Sequence, residues 1–464
     1  MKKSAADLKV LLTCPCNYNA SGELVTAPLG LSYLVESARE KIPGITFEIG
    51  LADEATLAEF QPDIVGISAY TAVWSKVLEL AQNCKRRGIH VVVGGPHVEI
   101  RPEDLSPDMD VGVIGEAEQS FPELLLQYDE GWSQECLEQL PGMIFRDEKT
   151  STVRNTGRPP VIQDLNELPI PLLHMDKLND DILCIMTCRG CPFYCRFCAT
   201  PSHDNVRVFS PEYIVQYIKK HLEHYPNIRT IKIWDDLFTL NRRRLKAIAK
   251  ILNENGLIDN FKYIVATRAD HITPKSIEIL KSMNVTDVSM GLESGSPTTL
   301  EYINKGYKVD KIIRAVELLD KAKINIQASF IIGFPYETNE HIQETYDLIK
   351  KLPIHLLQVF LLIPYPGTDI WDDAVKGGII QIDDDFDWSS LDILASLEEP
   401  EHVLNGAVVV SKTLNRKELY AWLKKFYSLV QKKRFLFGLR LLRKDPMRLY
   451  HRLKREVFFL LGKE

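Results

Sequence analysis

Three cysteines, Cys191, Cys195 and Cys198, are spaced four and then three residues apart in one short stretch of the chain. Thiolates at this spacing can bind a metal cluster from a single loop. Iron–sulfur clusters are usually held by four cysteine thiolates, so three thiolates indicate a cubane cluster with one iron open to another ligand. A tetrahedral zinc site would need a fourth ligand, which only Cys184 or Cys188 is placed to supply. A purely structural role for the three cysteines is the remaining alternative.

Length and composition indicate a soluble protein with more than one domain. The chain has 464 residues, of which 45% are hydrophobic and 26% charged, and this predicts two or three globular domains. Five of the nine cysteines fall within residues 184–198, and an odd, clustered set favours a reducing compartment over a disulfide framework. No stretch approaches the roughly 20 apolar residues of a membrane span, and the N-terminus lacks a signal-peptide core. We therefore expect a cytoplasmic protein.

Apolar runs of strand length alternate with helical patterns near the N-terminus. The predicted strands are 8–13, 46–51, 63–69, 89–93 and 111–114. This alternation predicts an α/β domain with an open, doubly wound (Rossmann-like) parallel sheet. Ligands of such sheets bind beyond the carboxyl ends of the strands, where glycine-containing turns let the backbone approach a ligand closely.

The same alternation resumes, on a longer scale, around and after the cysteine loop. The predicted strands are 181–186, 230–234, 262–266, 287–290, 325–332 and 356–362. Helical patterns separate these strands, giving six βα repeats. Polar residues gather at the carboxyl ends of the strands, where barrel enzymes place their active sites.

The chain is therefore expected to divide into four parts. These are a doubly wound domain at 1–135, a linker at 136–180, a βα-repeat domain at 181–400 and a helical region at 401–464. The linker is predicted because proline fixes the backbone and removes hydrogen-bond donors, and prolines are frequent there. A short hairpin is expected near Ile144 and Phe145 within this linker.

The run Thr187–Cys198, with Phe197 directly before the third cysteine, resembles the signature of the radical S-adenosylmethionine (radical SAM) superfamily. In that family the open iron is chelated by the amino and carboxyl groups of S-adenosylmethionine, and one electron cleaves the sulfonium to give a 5′-deoxyadenosyl radical. The resemblance implies a 4Fe-4S cluster on the three cysteines, a partial (β/α)6 TIM-type barrel, and an electron donor such as flavodoxin or ferredoxin. The segment Arg189–Phe193 is typical of the branch with an N-terminal cobalamin-binding domain.

Within the barrel, the resemblance implies a site for S-adenosylmethionine. Its candidate residues are Phe197, Arg268, Gly291, Glu293, Gly295, Ser329, Ile331 and Gly333. Glu293 would help to fix the methionine end, and Arg268 would form paired hydrogen bonds to the methionine carboxylate or to the substrate. The alternative for Arg268 is a salt bridge with Asp235 or Asp270. Tyr365 is a further candidate for substrate contact, with an ordinary proline-rich turn as its alternative.

Four elements of the N-terminal domain resemble the cobalamin-binding domain of this branch. They are Pro28–Leu31, Asp63–Ser68, Gly94–His97 and Gly115–Glu118. The implied cobalamin contacts are Ser68, Thr71, Gly94, Gly95, Pro96, His97, Gly115 and Glu116. The first and second turns contain no Asp-x-His-x-x-Gly sequence, the element that supplies a histidine to cobalt in other cobalamin proteins. We therefore expect His97 to cap its loop or touch the cobalamin tail, without binding cobalt.

The C-terminal region differs in charge from the rest of the chain. Residues 412–464 contain 16 Lys and Arg against 4 Asp and Glu, whereas the whole chain has a net charge of −7. Apolar and basic positions alternate at helical spacing over 412–461, with a break at Asp445 and Pro446. One interpretation is a helical cap on the barrel with a solvated basic face. The other is peripheral contact with an anionic membrane, and nucleic-acid binding is not expected.

These features predict a cobalamin-dependent radical SAM enzyme that methylates an unactivated carbon of a small-molecule or lipid substrate. One alternative is a radical SAM cyclisation or rearrangement enzyme in which cobalamin is absent or is not a methyl donor. Another, from a different class, is a non-catalytic metal-binding scaffold associated with a membrane.

Overall fold

The structure is a computed structural model. It describes residues 3–18, 27–173, 181–199, 205–383, 386–391 and 407–444. The chain folds into two compact units. The N-terminal unit comprises residues 1–180 together with 387–389, and the C-terminal unit comprises the remainder.

A twisted sheet forms the centre of the N-terminal unit. Its strands, in the described part of the chain, are β1 (Lys9–Thr13), β2 (Thr46–Ile49), β3 (Ile64–Ser68), β4 (His90–Gly94), β5 (Val111–Val113), β6 (Met143–Arg146) and β7 (Val153–Asn155). They lie in the order β2-β1-β3-β4-β5-β6-β7, with β1 to β5 parallel. The predicted doubly wound sheet is confirmed. Its strand order reverses between β1 and β3, which is where such sheets form a ligand crevice.

Helices follow the parallel strands of this unit. They are α1 (Leu29–Lys41), α2 (Glu54–Phe60), α3 (Trp74–Arg86), α4 (Pro96–Ile100), α5 (Ala117–Leu126) and α6 (Gln134–Gln139). The strand β1 is buried along nearly its whole length, as expected of a parallel strand covered on both faces. Its residues Val10 and Leu12 share one core with Val35 of α1 and Leu124 of α5.

The segment expected to be a linker, 136–180, differs from that expectation in its first part. It contributes most of α6 and the antiparallel strands β6 and β7 to the N-terminal unit. The short apolar run around Ile144 and Phe145 is buried in the sheet, which explains why it forms a strand. The expected hairpin is therefore present and continues the sheet. Further along, the ring of Pro159 packs closely against Gly115 and Gly142.

The C-terminal unit contains a second, larger-scale βα array. Its strands, counted over the described residues, are β8 (Ile182–Ile185), β9 (Cys188–Arg189), β10 (Arg207–Val208), β11 (Thr230–Ile233), β12 (Lys262–Thr267), β13 (Val285–Glu293), β14 (Asn325–Ile332) and β15 (Leu356–Leu361). All except β9 and β10 form one parallel sheet in the order β8-β11-β12-β13-β14-β15. This is the expected partial barrel of six strands, with β8 and β15 at its two edges.

Helices connect the strands of this array. They are α7 (Pro211–His224), α8 (Arg242–Glu254), α9 (Pro274–Ser282), α10 (Pro297–Tyr302), α11 (Val309–Lys321), α12 (Asn339–Lys351) and α13 (Asp369–Lys376). Burial alternates along the strands because successive side chains point to opposite faces. In β14, Ile326 and Phe330 are fully buried, whereas Ser329 and Ile331 lie on the half-buried face.

A long helix, α14 (Arg416–Lys444), packs against β15 and α12. It buries Leu419, Leu423 and Phe426, and the indole of Trp422 donates a hydrogen bond to Asn339 at 2.7 Å. The interpretation of this region as a helical cap holds for the described residues. The predicted break at 445–446 and the rest of the chain lie outside them. Among the described helices, none combines the length and the apolar character needed to cross a membrane.

Candidate functional site

The cysteine loop, which carries Cys191, Cys195 and Cys198, lies between β9 and β10 in the chain. These two short strands pair antiparallel. Asp235, two residues after the end of β11, anchors the start of this loop. Its carboxylate accepts hydrogen bonds from the backbone N–H groups of Thr187 at 2.6 Å and Cys188 at 3.1 Å. Burial raises the pKa of Asp235, and the hydrogen bonds from Thr187 oppose that rise. Asp236, next in the chain, is exposed, so only Asp235 of these two adjacent carboxylates is buried.

The other side of the loop is fastened to the segment that follows α10. The backbone N–H of Arg196 donates to the carbonyl of Ile303 at 3.1 Å, and the Asn304 side chain donates to the carbonyl of Tyr194 at 2.8 Å. The guanidinium of Arg196 also forms an ion pair with Asp373 at 2.6 Å. These contacts hold the backbone between the first and third cysteines from several directions.

The thiols of Cys191, Cys195 and Cys198 are all half-buried on this loop. Burial raises the pKa of Cys195, and the positive charges of Lys305 and then Arg268 oppose the rise. In the described residues, no three His, Cys, Asp or Glu side chains are close enough together to hold a single metal ion. A cubane cluster needs thiolates that are farther apart, because each binds a different iron. A loop with three half-buried thiols, one of them beside two cations, therefore fits a thiolate-bound cluster.

The two cysteines considered as extra ligands lie outside the loop. Cys184 is in β8, and Cys188 is a buried residue of β9. Burial, reinforced by the negative charge of Asp235, raises the pKa of the Cys188 thiol far above its ordinary value. Cys188 is therefore a protonated thiol, which is a poor metal ligand.

Arg268, expected to bind a carboxylate, is 6% exposed and points toward the cysteine loop. Its guanidinium lies 3.1 Å from Asp270, which is the salt bridge considered as an alternative. Its Nη1 is 3.9 Å from the sulfur of Cys195, and the guanidinium stacks over the ring of Phe193 at 3.5 Å. It also donates to the backbone carbonyl of Lys305. Arg268 thus joins the cysteine loop to the segment after α10.

Glu293 lies at the end of β13 and forms a buried ion pair with Lys305, whose Nζ is 2.9 Å from Oε1. The backbone of Glu293 has φ of 62°, an uncommon value for a residue with a side chain. A Cβ on Gly291 would lie 2.2 Å from Glu293 Oε1, so only glycine leaves room for the folded-back carboxylate. Burial tends to lower the pKa of Lys305, but Glu293 and Tyr307 outweigh burial and raise it. Lys305 is therefore charged.

The remaining candidates for S-adenosylmethionine lie at the ends of β13 and β14. Ser329 is opposite Gly291 in the sheet. The ring of Phe197 lies 6.1 Å from that of Phe334, which follows β14. Gly295 is buried, and a Cβ there would lie 2.7 Å from the backbone of Thr345, so this position requires glycine for packing. Its missing side chain serves the packing of α12.

Gly333 begins a turn after β14 that is organised by Glu337. The Glu337 carboxylate is 2% exposed and accepts hydrogen bonds from the backbone N–H groups of Gly333 at 2.7 Å and Phe334 at 3.4 Å. Burial raises the pKa of Glu337 to about 8. Tyr365 is half-buried, and its carbonyl accepts a hydrogen bond from the Thr368 hydroxyl at 2.7 Å. That contact belongs to the turn that begins α13.

The carboxyl edge of the N-terminal sheet gathers the cobalamin candidates. Gly94, Gly95 and Ser68 are half-buried, while Pro96 and Gly115 are exposed. Thr71 is buried, and Glu116 precedes α5. Gly95 has φ of 94°, and a Cβ there would lie 2.9 Å from backbone atoms of Ala69, so this turn requires glycine. An accessible edge with glycine turns fits a ligand that the backbone must approach closely.

His97 is fully buried within the N-terminal unit. Its Nδ1 lies 3.3 Å from the hydroxyl of Thr71, and its Nε2 lies 3.2 Å from a carboxylate oxygen of Asp104. The ring also packs at 4.1 Å from Trp74 and 5.0 Å from Trp388. Burial lowers the pKa of His97. A neutral, enclosed ring of this kind holds the loop together, which agrees with the expected capping role.

Several residues at these sites were not found by sequence reasoning. Lys305 and Arg196 contact their partners only in the folded chain, and nothing in their local spacing distinguishes them from surface residues. Cys14 and Cys16 lie at the crevice after β1 with their sulfurs 3.0 Å apart. The hydrogen bond from Cys16, followed by burial, raises the pKa of Cys14. The short Cys-Pro-Cys spacing is the feature of the sequence that could have identified these two cysteines.

Comparison with known families gives two matches on this chain. Residues 185–349 match the radical SAM superfamily, and residues 18–125 match the B12 binding domain. The first range contains the cysteine loop and most of the barrel. The second contains most of the parallel part of the N-terminal sheet.

Individual relatives are similar over most of the chain. An uncharacterized methyltransferase of Pyrococcus horikoshii is 34% identical over 396 residues, covering 80% of this chain and 84% of that protein. The bacteriochlorophyllide d C-8(2)-methyltransferase of Chlorobaculum tepidum is 26% identical, covering 78% of each chain. The anaerobic magnesium-protoporphyrin IX monomethyl ester cyclase of Cereibacter sphaeroides is 25% identical, covering 78% of this chain and 61% of that protein.

Among solved structures, the radical S-adenosylmethionine methyltransferase TsrM of Kitasatospora setae is similar with a TM-score of 0.66. The match covers 81% of this chain and 77% of that chain at 19% identity. At this identity the similarity establishes a shared fold.

Proposed function

Because this chain belongs to the radical SAM superfamily and carries a B12 binding domain, we propose that it methylates an unactivated carbon of a small-molecule or lipid substrate. The family and domain imply a 4Fe-4S cluster, S-adenosylmethionine and cobalamin as cofactors. The observation that carries the proposal is the buried arrangement of Arg268, Lys305 and Glu293 beside the cysteine loop. It joins the cysteines to the carboxyl end of the central barrel strand.

When bound, the cluster with S-adenosylmethionine supplies a radical able to take hydrogen from unactivated carbon, and cobalamin supplies a methyl carrier. The task of this chain is to hold and orient these groups and to exclude water. Cys191, Cys195 and Cys198 would bind three irons and leave the fourth open. Asp235 and Arg196 would fix the loop that carries these cysteines.

At the barrel end, Glu293 would receive the methionine amino group, since its carboxylate lies at the carboxyl end of β13, folded back against Gly291. The turn Gly333–Glu337 and the half-buried Ser329 and Ile331 would accommodate the adenosine. Phe197 would pack beside it. Arg268 is already engaged by Asp270 and by the cysteine loop, so we propose that it supports the cluster more than it binds a carboxylate.

In the N-terminal unit, the glycine turns after β4 and β5 would let the corrin ring approach the carboxyl edge of the sheet. His97 would stabilise this edge from within, since its ring is buried and engaged by Thr71 and Asp104. His97 would therefore not be available as a ligand to cobalt. Ser68, with the exposed Tyr70 two residues later, remains accessible at this edge.

The names of the relatives favour carbon methylation over other radical reactions. Two of the three relatives described above are methyltransferases. The third is a cyclase, which supports ring formation as the second candidate. The two reactions differ in products, because methylation converts S-adenosylmethionine into S-adenosylhomocysteine and ring formation does not.

A labelling experiment tests the proposal. The protein is reconstituted anaerobically with iron, sulfide and cobalamin, reduced, and incubated with S-adenosylmethionine carrying a trideuterated methyl group and with a host metabolite extract. We expect a metabolite whose mass increases by CD3 less one hydrogen, formed only when cobalamin is present. A product without the label would support ring formation. If the wild-type protein forms no product that a Cys195→Ala variant fails to form, both candidate reactions are contradicted.

We also propose peripheral contact with an anionic membrane through the distal part of α14. Phe435, Leu436 and Leu439 are 67%, 53% and 44% exposed, and the exposed Lys432 and Arg434 flank them. An apolar face with basic flanks is typical of helices that lie in the membrane interface. Such contact would suit a lipid or pigment substrate.

A small protein such as a flavodoxin or ferredoxin would supply the electrons.

A further inference from the structure

We propose that Lys305 and Arg268 act as positioning residues that raise the reduction potential of the cluster held by Cys191, Cys195 and Cys198. This inference rests on the proposed function, because it requires that the cysteine loop hold an iron–sulfur cluster. Lys305 and Arg268 are buried cations to which the proposed reaction assigns no step of their own.

Arg268 contacts the loop directly. Its Nη1 is 3.9 Å from the sulfur of Cys195, within reach of an N–H to sulfur hydrogen bond. Asp270 at 3.1 Å and the ring of Phe193 at 3.5 Å hold the guanidinium in this orientation. Hydrogen bonds to ligand sulfurs are one of the factors that set the potential of an iron–sulfur cluster.

Lys305 adds a second, buried charge on the same side. The residue is 5% exposed, its backbone carbonyl accepts a hydrogen bond from Arg268, and its ammonium lies 5.7 Å from the ring centre of Phe197. Phe197 lies between Cys195 and Cys198 in the sequence, so the ammonium lies near the loop. Glu293, at 2.9 Å, fixes the position of the ammonium.

The electrostatic consequence follows from the charge change on reduction. One electron from an external one-electron donor enters the cluster and makes it more negative by one charge. A nearby cation stabilises the reduced form more than the oxidised form, and burial limits screening by water and salt. The pair Lys305–Glu293 is neutral as a whole, but its ammonium faces the loop. Loss of the ammonium and loss of the carboxylate should therefore shift the potential in opposite directions.

The test is a redox titration of the reconstituted full-length protein, with dithionite as reductant, in the absence of S-adenosylmethionine. The reduced cluster is quantified by electron paramagnetic resonance. We expect Lys305→Met to lower the ratio of reduced to oxidised cluster at a fixed potential by about tenfold, equivalent to about 59 mV. Glu293→Gln should raise the ratio, and Lys305→Arg should restore it to near the wild-type value. Lys308→Met removes an exposed lysine from the same segment and serves as the matched control.

A Lys305→Met potential equal to that of the wild type and of Lys308→Met would overturn the inference. If Lys305→Met binds no cluster, Arg268→Gln carries the same test, because it leaves the pair Lys305–Glu293 in place. An unchanged potential in Arg268→Gln would then contradict the inference. Failure of the wild-type protein to bind iron and sulfide is a different result, which would contradict the proposed function itself.

Discussion

Asp235 accepts hydrogen bonds from the backbone N–H groups of Thr187 and Cys188, which lie almost fifty residues earlier in the chain. The contact connects the end of β11 to the first residues of the cysteine loop. Both N–H groups are buried, so without this carboxylate they would have no hydrogen-bond acceptor. The geometry of the loop thus depends on a residue that would itself touch neither cluster nor substrate.

Replacing Asp235 with alanine should destabilise the protein and impair cluster binding. The loss of an acceptor for buried N–H groups costs about 1–3 kcal/mol in the free energy of unfolding. Asp259→Ala is the matched control, because its side chain is exposed and the effect should stay within about 0.5 kcal/mol. Denaturant unfolding and iron content of both variants check this prediction. Equal behaviour of the two variants would show that Asp235 does not anchor the loop.

Each cysteine of the loop should be required for the cluster. Cys191→Ala, Cys195→Ala and Cys198→Ala should each lose most of the iron and the charge-transfer absorbance after anaerobic reconstitution, since a cubane held by two thiolates is poorly retained. Cys136→Ala, a half-buried cysteine of the N-terminal unit, should keep both. Cys188→Ala should also retain the cluster. A full complement of iron in all three loop variants would remove the basis for the cluster assignment.

Glu337 should give the protein a pH-dependent stability. Burial disfavours the carboxylate and raises the pKa of Glu337 to about 8 in the folded state, from 4.5 for a glutamate in water. Between these values the folded protein keeps a proton that the unfolded chain releases, so stability falls as pH rises, by at most about 1.4 kcal/mol per pH unit. Above the folded pKa the contribution levels off.

The variant Glu337→Gln tests this assignment. Glutamine keeps an oxygen that can accept from Gly333 and Phe334 but has no titrating proton. Denaturant unfolding between about pH 6 and about pH 8 should show a weaker pH dependence in the variant than in the wild type. An identical slope in the two proteins would mean that Glu337 does not titrate in this range.

Vesicle binding should depend on the exposed apolar face of α14. The double variant Phe435→Ala and Leu439→Ala should reduce the bound fraction on anionic vesicles by about fivefold, corresponding to about 1 kcal/mol of lost apolar burial. Ile313→Ala, an exposed apolar residue on α11, should have no effect. Binding should weaken at high salt. Co-sedimentation measures these effects, and equal binding to neutral vesicles would argue against an electrostatic membrane contact.

The features that the sequence predicted best are those that depend on residue types at short, regular spacing. The cysteine loop is recognisable from three positions, and the parallel strands from apolar runs that recur between helical patterns. A hairpin near Ile144 and Phe145 was predicted, but it was assigned to a linker because strands β6 and β7 are short. Met143 and Phe145 become strand residues only because the edge of a neighbouring sheet is available for them to pair with and pack against.

The side chains that surround the cysteines could not be predicted from the sequence. Lys305 follows Glu293 by twelve residues, and Arg268 precedes it by twenty-five, yet the three side chains meet around the loop. Gly295 illustrates the opposite case. Its place in a Gly-x-Glu-x-Gly element predicts contact with a ligand, and the close packing of α12 against it is a second requirement for glycine that the spacing does not reveal. Such contacts are decided by tertiary packing, which residue spacing does not encode.

The most direct test of the account is the simultaneous measurement of 5′-deoxyadenosine and S-adenosylhomocysteine. The reduced, reconstituted protein is supplied with cobalamin, S-adenosylmethionine and host extract, and both products are quantified by mass spectrometry. We predict that both products form together, and that both are lost in the Cys195→Ala variant. Formation of neither product above the level of that variant would contradict the central claim that this chain is a cobalamin-dependent radical SAM methyltransferase.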